Sequence, residues 1–185
     1  MTSVLLRPWR ETDAAALVDA FTSTPDLSTQ LGGADLADVE RAAAFIADDL
    51  AATERRRDWA IVADGRAVGS VGLSGIEHRH GTAWAYYWVA SSARGRGLAT
   101  RALASAADWA FAQGLFRVEL GHRVNNPASC VVATRAGFIA EGVERAKLRY
   151  GDERFDVESH ARLATDPVPE VIPLPWGEEA ASGPA

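Results

Sequence analysis

The stretch from residue 82 to residue 114 constrains the fold most strongly, because its pattern changes from strand to helix across one short turn. Residues 82–90, TAWAYYWVA, carry the aromatic and β-branched side chains that favour a strand. Residues 98–113 repeat apolar positions at intervals of three and four, and Gly114 can end that helix. Two glycines lie between them, beside Arg94 and Arg96. Strand, basic glycine turn and helix together indicate a fold that mixes both kinds of structure.

The glycine turn has two explanations. Glycine permits the backbone angles of a sharp helix start, and it also lets a phosphate approach the unpaired N–H groups of a helix N-terminus. The turn lacks the dinucleotide fingerprint, because Thr100 stands where a third glycine would be, and no Gly-Lys-Ser/Thr of a P-loop follows. Taken alone, the turn leaves both explanations open.

The rest of the chain places this unit in a larger sheet. Periodicity predicts a strand at 4–9, helices at about 13–21 and 38–55, and a hairpin at Asp64-Gly65. The strand at 82–90 is then the third of three antiparallel strands, and a helix, a strand, a helix and two strands follow it. These elements predict an α/β (α+β) fold with a mixed, mostly antiparallel sheet of about seven strands, flanked by about four helices.

Length and composition predict one domain and a tail. A chain of 185 residues with 48% hydrophobic residues can bury a single full core. We assign that domain to residues 1–166. Residues 167–185 contain five prolines, which predicts an extended tail that is disordered or lies over the domain or a partner.

Charge and cysteine content limit the ligand classes and the cellular compartment. The net charge of −6 argues against non-specific nucleic-acid binding. Cys130 is the only cysteine, so no disulfide can form within the chain, which fits a reducing compartment. No secretory signal and no membrane-spanning apolar run is evident. We therefore expect a cytoplasmic protein without membrane partners, and we leave a homodimer open.

Several separate motifs resemble one known family. The run Arg94-Gly95-Arg96-Gly97-Leu98-Ala99 resembles the Arg/Gln-x-x-Gly-x-Gly/Ala motif of GNAT-superfamily N-acetyltransferases. Its context, YYWVASSARGRGLATRAL, resembles the RimJ/RimL branch, the ribosomal-protein alanine and serine N-acetyltransferases. The same branch shows Asn-x-x-Ser before a helix that ends in Gly-Phe, matched by 126–129 and 137–138. The opening LLRPWRETDAAAL and the close FDVESHARLATD also match, so the resemblance spans about 4–166 in order.

The resemblance implies a GNAT fold with acetyl-CoA as co-substrate. Main-chain N–H groups from about Arg94 to Ala99 would hold the pyrophosphate, and the backbone near Val89 would donate to the thioester carbonyl. The pantetheine would lie along the end of the 82–90 strand. The cofactor-binding residues implied in this way are Trp88, Val89, Ala90, Arg94, Gly95, Arg96, Gly97, Leu98, Ala99, Thr100, Asn126 and Ser129.

The resemblance also implies Ser129 as the group that meets the leaving thiolate. The wider superfamily often has a tyrosine acid six residues after the Asn, where this chain has Val132, so more weight falls on Ser129. Asn126 and Ser129 also suit the N-cap and third position of a helix, which is a purely structural explanation for both. The sequence predicts Cys130 as a small core residue rather than a nucleophile.

The general base is harder to assign. Branch members often carry a glutamate where this chain has Trp84. Glu77, His78, His80 and His122 remain as candidates, and we prefer His122 because it ends a strand close to the Asn-x-x-Ser segment. A base is unnecessary if the amine arrives partly neutral.

The predicted function is direct transfer of an acetyl group from acetyl-CoA to a primary amine. The branch points to the α-amine of a protein N-terminus, and small amines such as aminoglycosides or polyamines, with acetyl-CoA or succinyl-CoA, are the alternatives. No His/Cys/Asp spacing indicates a metal, so we expect none. A non-catalytic acyl-CoA sensor and a nucleotide-binding module unrelated to coenzyme A are rival explanations.

Overall fold

The computed structural model describes residues 3–177 and contains the predicted sheet. The strands are β1 (Val4–Pro8), β2 (Arg57–Ala63), β3 (Arg66–Glu77), β4 (Thr82–Val89), β5 (Arg117–Arg123), β6 (Ile139–Tyr150) and β7 (Glu153–Leu163). The α-helices are α1 (Ala14–Ser23), α2 (Leu27–Gln30), α3 (Val39–Asp48), α4 (Leu98–Ala112) and α5 (Pro127–Arg135). Together the strands form one seven-stranded sheet in the order β1-β2-β3-β4-β5-β7-β6. The predicted fold class is confirmed.

One pair of strands differs from the rest of the sheet. All neighbours are antiparallel except β4 and β5, which run parallel and pair over three positions, from Thr82↔Arg117 to Trp84↔Glu119. Beyond Trp84, the side of β4 that faces β5 has no strand partner. The sheet therefore contains a gap between the second half of β4 and the end of β5.

Helices cover both faces of the sheet. Leu17 of α1 and Ile46 of α3 pack with Trp88 on one face, which we call the α1/α3 face. Leu103 of α4 and Ala133 of α5 pack with Val89 on the other, the α4/α5 face. Neighbouring residues of β4 thus point to opposite faces, as the alternation of a strand requires.

Two helices depart from the sequence prediction. Helix α3 ends at Asp48 instead of continuing to Arg55. Acidic Asp48 and Asp49 are unfavourable at the negative end of a helix dipole, and a Thr53↔Arg56 bridge already turns the chain towards β2. The four-residue helix α2 lies between the helices predicted at about 13–21 and 38–55, where the sequence predicts no further element. No helix in residues 3–177 is long and apolar enough to cross a membrane.

The tail packs on the domain as far as Gly177. Leu6 N donates to Pro175 O at 2.9 Å, and Gly177 N donates to Leu6 O at 2.8 Å, so the tail runs along the outer edge of β1. Leu174 is 2% exposed, and its N–H donates to Ser105 Oγ of α4 at 2.8 Å. The Trp176 ring stands edge-on to Trp59 at 5.1 Å between centroids. Residues 178–185 of the predicted tail lie outside the described residues.

The other edge of the sheet is β6, which is long and exposed. Its pairing with β7 is interrupted twice, between Ala140 and Gly142 and between Glu144 and Leu148. At the second interruption Ala146 has φ +54°, a left-handed conformation that is uncommon outside glycine. Such irregularities bend a strand and increase its local twist.

Candidate active site

The glycine turn presents an open stretch of backbone at the start of α4. Gly95 and Gly97 have φ of +76° and +72°, which glycine adopts without strain. A Cβ at either position would meet nothing within 4 Å. Arg101 N donates to Gly97 O, and within residues 3–177 the N–H groups from 95 to 100 donate to no oxygen. These donors and the positive helix dipole form a site where an anion can bind.

The two arginines of the turn differ in role. Arg94 Nε donates to Val89 O at 2.9 Å, and its Nη2 lies 2.9 Å from both carboxylate oxygens of Asp26. These contacts tie the turn to the end of β4 and to the start of α2. Arg96 is exposed and makes no hydrogen bond or ion pair within the described chain. Arg96 is therefore the arginine available to a bound phosphate.

The end of β4 supplies a backbone donor beside the turn. Ala90 N donates to Val68 O at 2.9 Å, towards β3. Hydrogen-bonded pairs alternate along an antiparallel ladder, so the N–H of Val89 points the other way, into the gap between β4 and β5. Trp88 is 6% exposed, with its ring 6.0 Å from that of Trp9. Only the backbone of Trp88 can therefore contact a ligand.

Helix α5 faces this strand end. Asn126 Oδ1 accepts from Ser129 N at 3.2 Å, which is the predicted N-cap contact. The Tyr87 hydroxyl donates to Ser129 O at 3.3 Å and so joins β4 to α5. Burial raises the pKa of Tyr87, which keeps its hydroxyl protonated. Ser129 Oγ is half-buried and has no hydrogen-bond partner among residues 3–177, so it is free to contact a ligand.

A cluster of titratable side chains lies next to α5. His122 Nε2 lies 3.0 Å from His160 Nε2, and Glu158 Oε2 lies 2.9 Å from the latter and 3.3 Å from the former. Cys130 of α5 is close, since one ligand atom of each of the four residues lies within 4.8 Å of the others. His122 and His160 are buried, whereas the Glu158 side chain is 29% exposed. The hydrogen bond with His160 holds the pKa of Glu158 below its usual range.

Sequence reasoning identified His122 but missed Glu158 and His160. Both lie in the segment FDVESHARL, which was noted only for its family resemblance. In the sheet, His122 stands directly opposite Glu158, and His160 lies two residues further along β7. The pairing of β5 with β7 brings the three together, and this pairing was not predicted.

The other candidate bases lie at the far end of β4. Glu77 pairs with Thr82, and its carboxylate accepts the N–H groups of Arg79 and His80 at 2.7 and 2.8 Å. Those contacts lower the pKa of Glu77 and make it part of a turn. Val89 lies seven residues beyond Thr82 along the strand, at a distance of about 23 Å. The structure therefore does not bring Glu77, His78 or His80 to the glycine turn.

A second polar cluster lies on the α1/α3 face. The Tyr86 hydroxyl lies 2.9 Å from both oxygens of Asp58, and Arg56 Nε donates to the same carboxylate at 2.6 Å. The Asp58 side chain is fully buried, and this burial raises its pKa. Both partners satisfy the carboxylate, so the cluster has a structural explanation.

Comparison with known proteins assigns the chain to a family. The model of the acetyltransferase (GNAT) domain matches residues 3–139. The chain belongs to the GNAT acetyltransferase family. The predicted relationship to its RimJ/RimL branch is confirmed by the similar proteins below.

These GNAT relatives include one curated protein and several solved structures. The chain is 35% identical over 97 residues to the ribosomal-protein-serine acetyltransferase of Escherichia coli (strain K12), over 52% of this chain and 54% of that protein. It thus spans about half the length of this curated relative. Mycobacterium smegmatis RimJ in complex with CoA-disulfide is 31% identical, with 87% of this chain and 82% of that chain covered and a TM-score of 0.74. A structure of RimL, the ribosomal L7/L12 alpha-N-protein acetyltransferase, in complex with coenzyme A shares the fold at 21% identity, with 87% and 94% covered and a TM-score of 0.74.

Proposed function

We propose that the protein transfers an acetyl group from acetyl-CoA directly to a primary amine, the α-amine of a protein N-terminus. The observation that carries this proposal is the open glycine turn at the start of α4, beside the unpaired end of β4, in a GNAT chain. Transfer within this family needs no metal. The single cysteine fits a reducing compartment, so the proposal places the enzyme in the cytoplasm.

The glycine turn is the proposed pyrophosphate site. The free N–H groups from 95 to 100 supply donors, the helix dipole supplies a partial positive charge, and Arg96 supplies a full one. The side chains of Leu98 and Thr100 are buried, so these two residues contribute backbone N–H groups. The open space at Gly95 and Gly97 lets the phosphates come close to the backbone.

Transfer needs one donor to the carbonyl and two proton movements. The amine nitrogen attacks the thioester carbon, and the Val89 N–H stabilises the developing oxyanion. The C–S bond then breaks, and Ser129 Oγ gives a proton to the leaving thiolate of coenzyme A and regains one from solvent. The proton lost by the amine passes to His122 Nε2 and from there to the partly exposed Glu158 carboxylate, which lies 3.3 Å from that nitrogen. In this route His122 is the buried end and Glu158 the end that meets solvent.

Replacing Ser129 tests its role. We expect Ser129→Ala to lower kcat about 100-fold, at the low end of general-acid effects, with unchanged affinity for acetyl-CoA. Stopped-flow release of free thiol and calorimetric binding measure the two quantities. Thr134→Ala, which removes an exposed hydroxyl from the same helix, is the matched control. If Ser129→Ala turns over at the wild-type rate, Ser129 has only a structural role at the start of α5.

The amine acceptor is identified by release of free CoA thiol from acetyl-CoA. The panel contains peptides with N-terminal Ala and Ser, spermidine, an aminoglycoside and lysine. We expect release with an N-terminal peptide, because the E. coli relative is named a ribosomal-protein-serine acetyltransferase. Release with a small amine alone would show that the acceptor is a small molecule and not a protein N-terminus. Tight acetyl-CoA binding with no release, with succinyl-CoA included as second donor, would indicate a sensor.

A further inference from the structure

We propose that His122, His160, Glu158 and Cys130 bind one divalent transition metal ion, with Zn²⁺ as the ion that this donor set favours. The four residues form two pairs that are distant in sequence, His122 with Cys130 and Glu158 with His160, and no metal-binding motif links them. The sheet and α5 nevertheless place one ligand atom of each within 4.8 Å of the others. Two imidazoles, one carboxylate and one thiol are the ligand types that zinc accepts.

Three of the donor atoms already form a triangle of the right size. The sides are 3.0 Å between the two Nε2 atoms, 2.9 Å from His160 Nε2 to Glu158 Oε2, and 3.3 Å from His122 Nε2 to the same oxygen. Ligands of a tetrahedral zinc ion lie about 2.0–2.2 Å from the metal, which makes their mutual distances about 3.3–3.5 Å. The triangle needs to widen by only a few tenths of an ångström to receive the ion.

One contact of the metal-free cluster joins two acceptor atoms, both of which have His160 Nε2 as their hydrogen-bond partner. His122 Nδ1 lies 3.0 Å from Arg123 O, an acceptor, so Nδ1 carries the hydrogen and neutral His122 presents a lone pair at Nε2. The 3.3 Å contact between that nitrogen and Glu158 Oε2 then joins two lone pairs. A cation at the centre turns both lone pairs into ligands. A proton on His122 would relieve the same conflict, and the experiment below separates the two.

The surroundings of His122 suit ligation, and those of His160 leave its tautomer open. The hydrogen bond from His122 Nδ1 to a backbone carbonyl is the contact that commonly orients a metal-binding imidazole. His160 Nδ1 is buried and has no partner among residues 3–177, so no contact of Nδ1 holds His160 in one tautomer. Its Nε2 can therefore present a lone pair when its proton moves to Nδ1.

Cys130 completes a neutral site. In a tetrahedral site its sulfur would lie about 3.5 Å from the other donors, so it needs to approach by at most about 1.3 Å from the 4.8 Å limit observed. Binding releases the thiol proton, and the charges of thiolate and carboxylate together balance the divalent ion. The half-buried Cys130 and the partly exposed Glu158 give the ion a route from solvent.

The metal would inhibit acetyl transfer. This consequence rests on the proposed function, because a metal bound to Glu158 and Cys130 occupies the proposed proton acceptor and the residue next to Ser129. Binding itself depends only on the four ligands. Binding and inhibition are therefore measured separately.

Cobalt(II) titration of the metal-free protein, without acetyl-CoA, tests the binding. We expect saturation at one equivalent, the visible absorption of tetrahedral Co²⁺ with a thiolate-to-cobalt charge-transfer band, and displacement by Zn²⁺ with a Kd below about 1 µM. Cys130→Ser should lose the charge-transfer band and keep the visible bands. Glu158→Gln should weaken binding at least about 10-fold. His160→Gln should weaken it more than about 100-fold, which exceeds the effect of losing a residue that only orients a metal ligand.

Controls distinguish this site from surface histidines and from misfolding. His80→Gln removes an exposed histidine remote from the cluster and should bind as the wild type does. His160 is fully buried, so the decisive variants are Glu158→Gln and Cys130→Ser, whose side chains are partly exposed. No saturable spectrum in the wild type, or unchanged spectra in both variants, would overturn the proposal and leave a proton as the bridging charge.

Zn²⁺ is then added to the acetyl-transfer assay. We expect inhibition that EDTA reverses, at the Zn²⁺ concentration that saturates the binding titration. A protein that binds cobalt as expected but transfers no acetyl group would refute the proposed function and not the metal site. A protein that transfers acetyl groups and shows no cobalt spectrum would refute the metal site alone.

Discussion

Gly97→Glu is expected to weaken acetyl-CoA binding more than about 100-fold while the protein stays folded. The new side chain would occupy the open space where the phosphates are expected to approach the backbone. Its carboxylate would also lie beside the phosphate charges, at a cost of about 1–4 kcal/mol for each contact near 4 Å. A loss of 100-fold corresponds to about 2.8 kcal/mol, which one or two such contacts supply. Calorimetric titration with acetyl-CoA measures the effect.

The control for this variant is Gly114→Glu. Gly114 follows the other end of α4, has φ +83°, and also has nothing within 4 Å of an added Cβ. The same substitution there imposes the same kind of backbone strain, about 1–2 kcal/mol, far from the glycine turn. We expect both variants to melt at similarly lowered temperatures and only Gly97→Glu to lose acetyl-CoA. Equal affinity in the two variants would refute the pyrophosphate assignment.

Truncation after Asp166 is expected to lower the melting temperature by at least about 10 °C. The missing segment would take with it the buried side chain of Leu174 and the ring of Trp176 against Trp59. Losses of this kind cost about 2–5 kcal/mol for a leucine and 3–5 for a tryptophan. Each kcal/mol shifts the melting temperature of a domain this size by about 2–4 °C. Thermal unfolding followed by circular dichroism measures the shift.

The matched control for the truncation ends the chain after Gly177, which keeps every described contact of the tail. We expect that protein to have the same melting temperature as the full-length chain. An unchanged melting temperature after removal of residues 167–185 would instead support a domain that is complete at residue 166. The hydrogen bonds of Leu6 and Ser105 to the tail are the structural reason to expect otherwise.

The sequence predicted the elements whose signals are local. Alternation in β4, helical spacing in α4 and the Asp64-Gly65 hairpin each depend on neighbouring residues, and all appear in the structure. Helix α2 was missed because a segment of four residues is too short to show helical periodicity. The end of α3 was misplaced because apolar spacing continued past the acidic pair Asp48-Asp49, where the helix dipole opposes it.

The candidate site likewise combines local features, which the sequence predicts, with contacts between distant segments, which it does not. The glycine turn and the Asn126 cap could be predicted, because each lies within a few consecutive residues. The contacts of Arg94 with Asp26 and of His122 with Glu158 could not, since they depend on how distant segments pack. Among the four candidate bases, the sequence already favoured His122, and the structure places it beside Cys130 of α5 and the other three at the far end of β4.

The two outer strands of the sheet are closed to a further strand by different means. On β1, the backbone groups of Leu6 that a foreign strand would use already bind the chain's own tail. On β6, two register shifts break the straight row of donors and acceptors that strand addition requires. Removal of the tail would therefore both destabilise the fold and leave β1 as an open template for aggregation. The contacts of the tail that stabilise the fold also occupy the edge of β1 at which a strand of another molecule could pair.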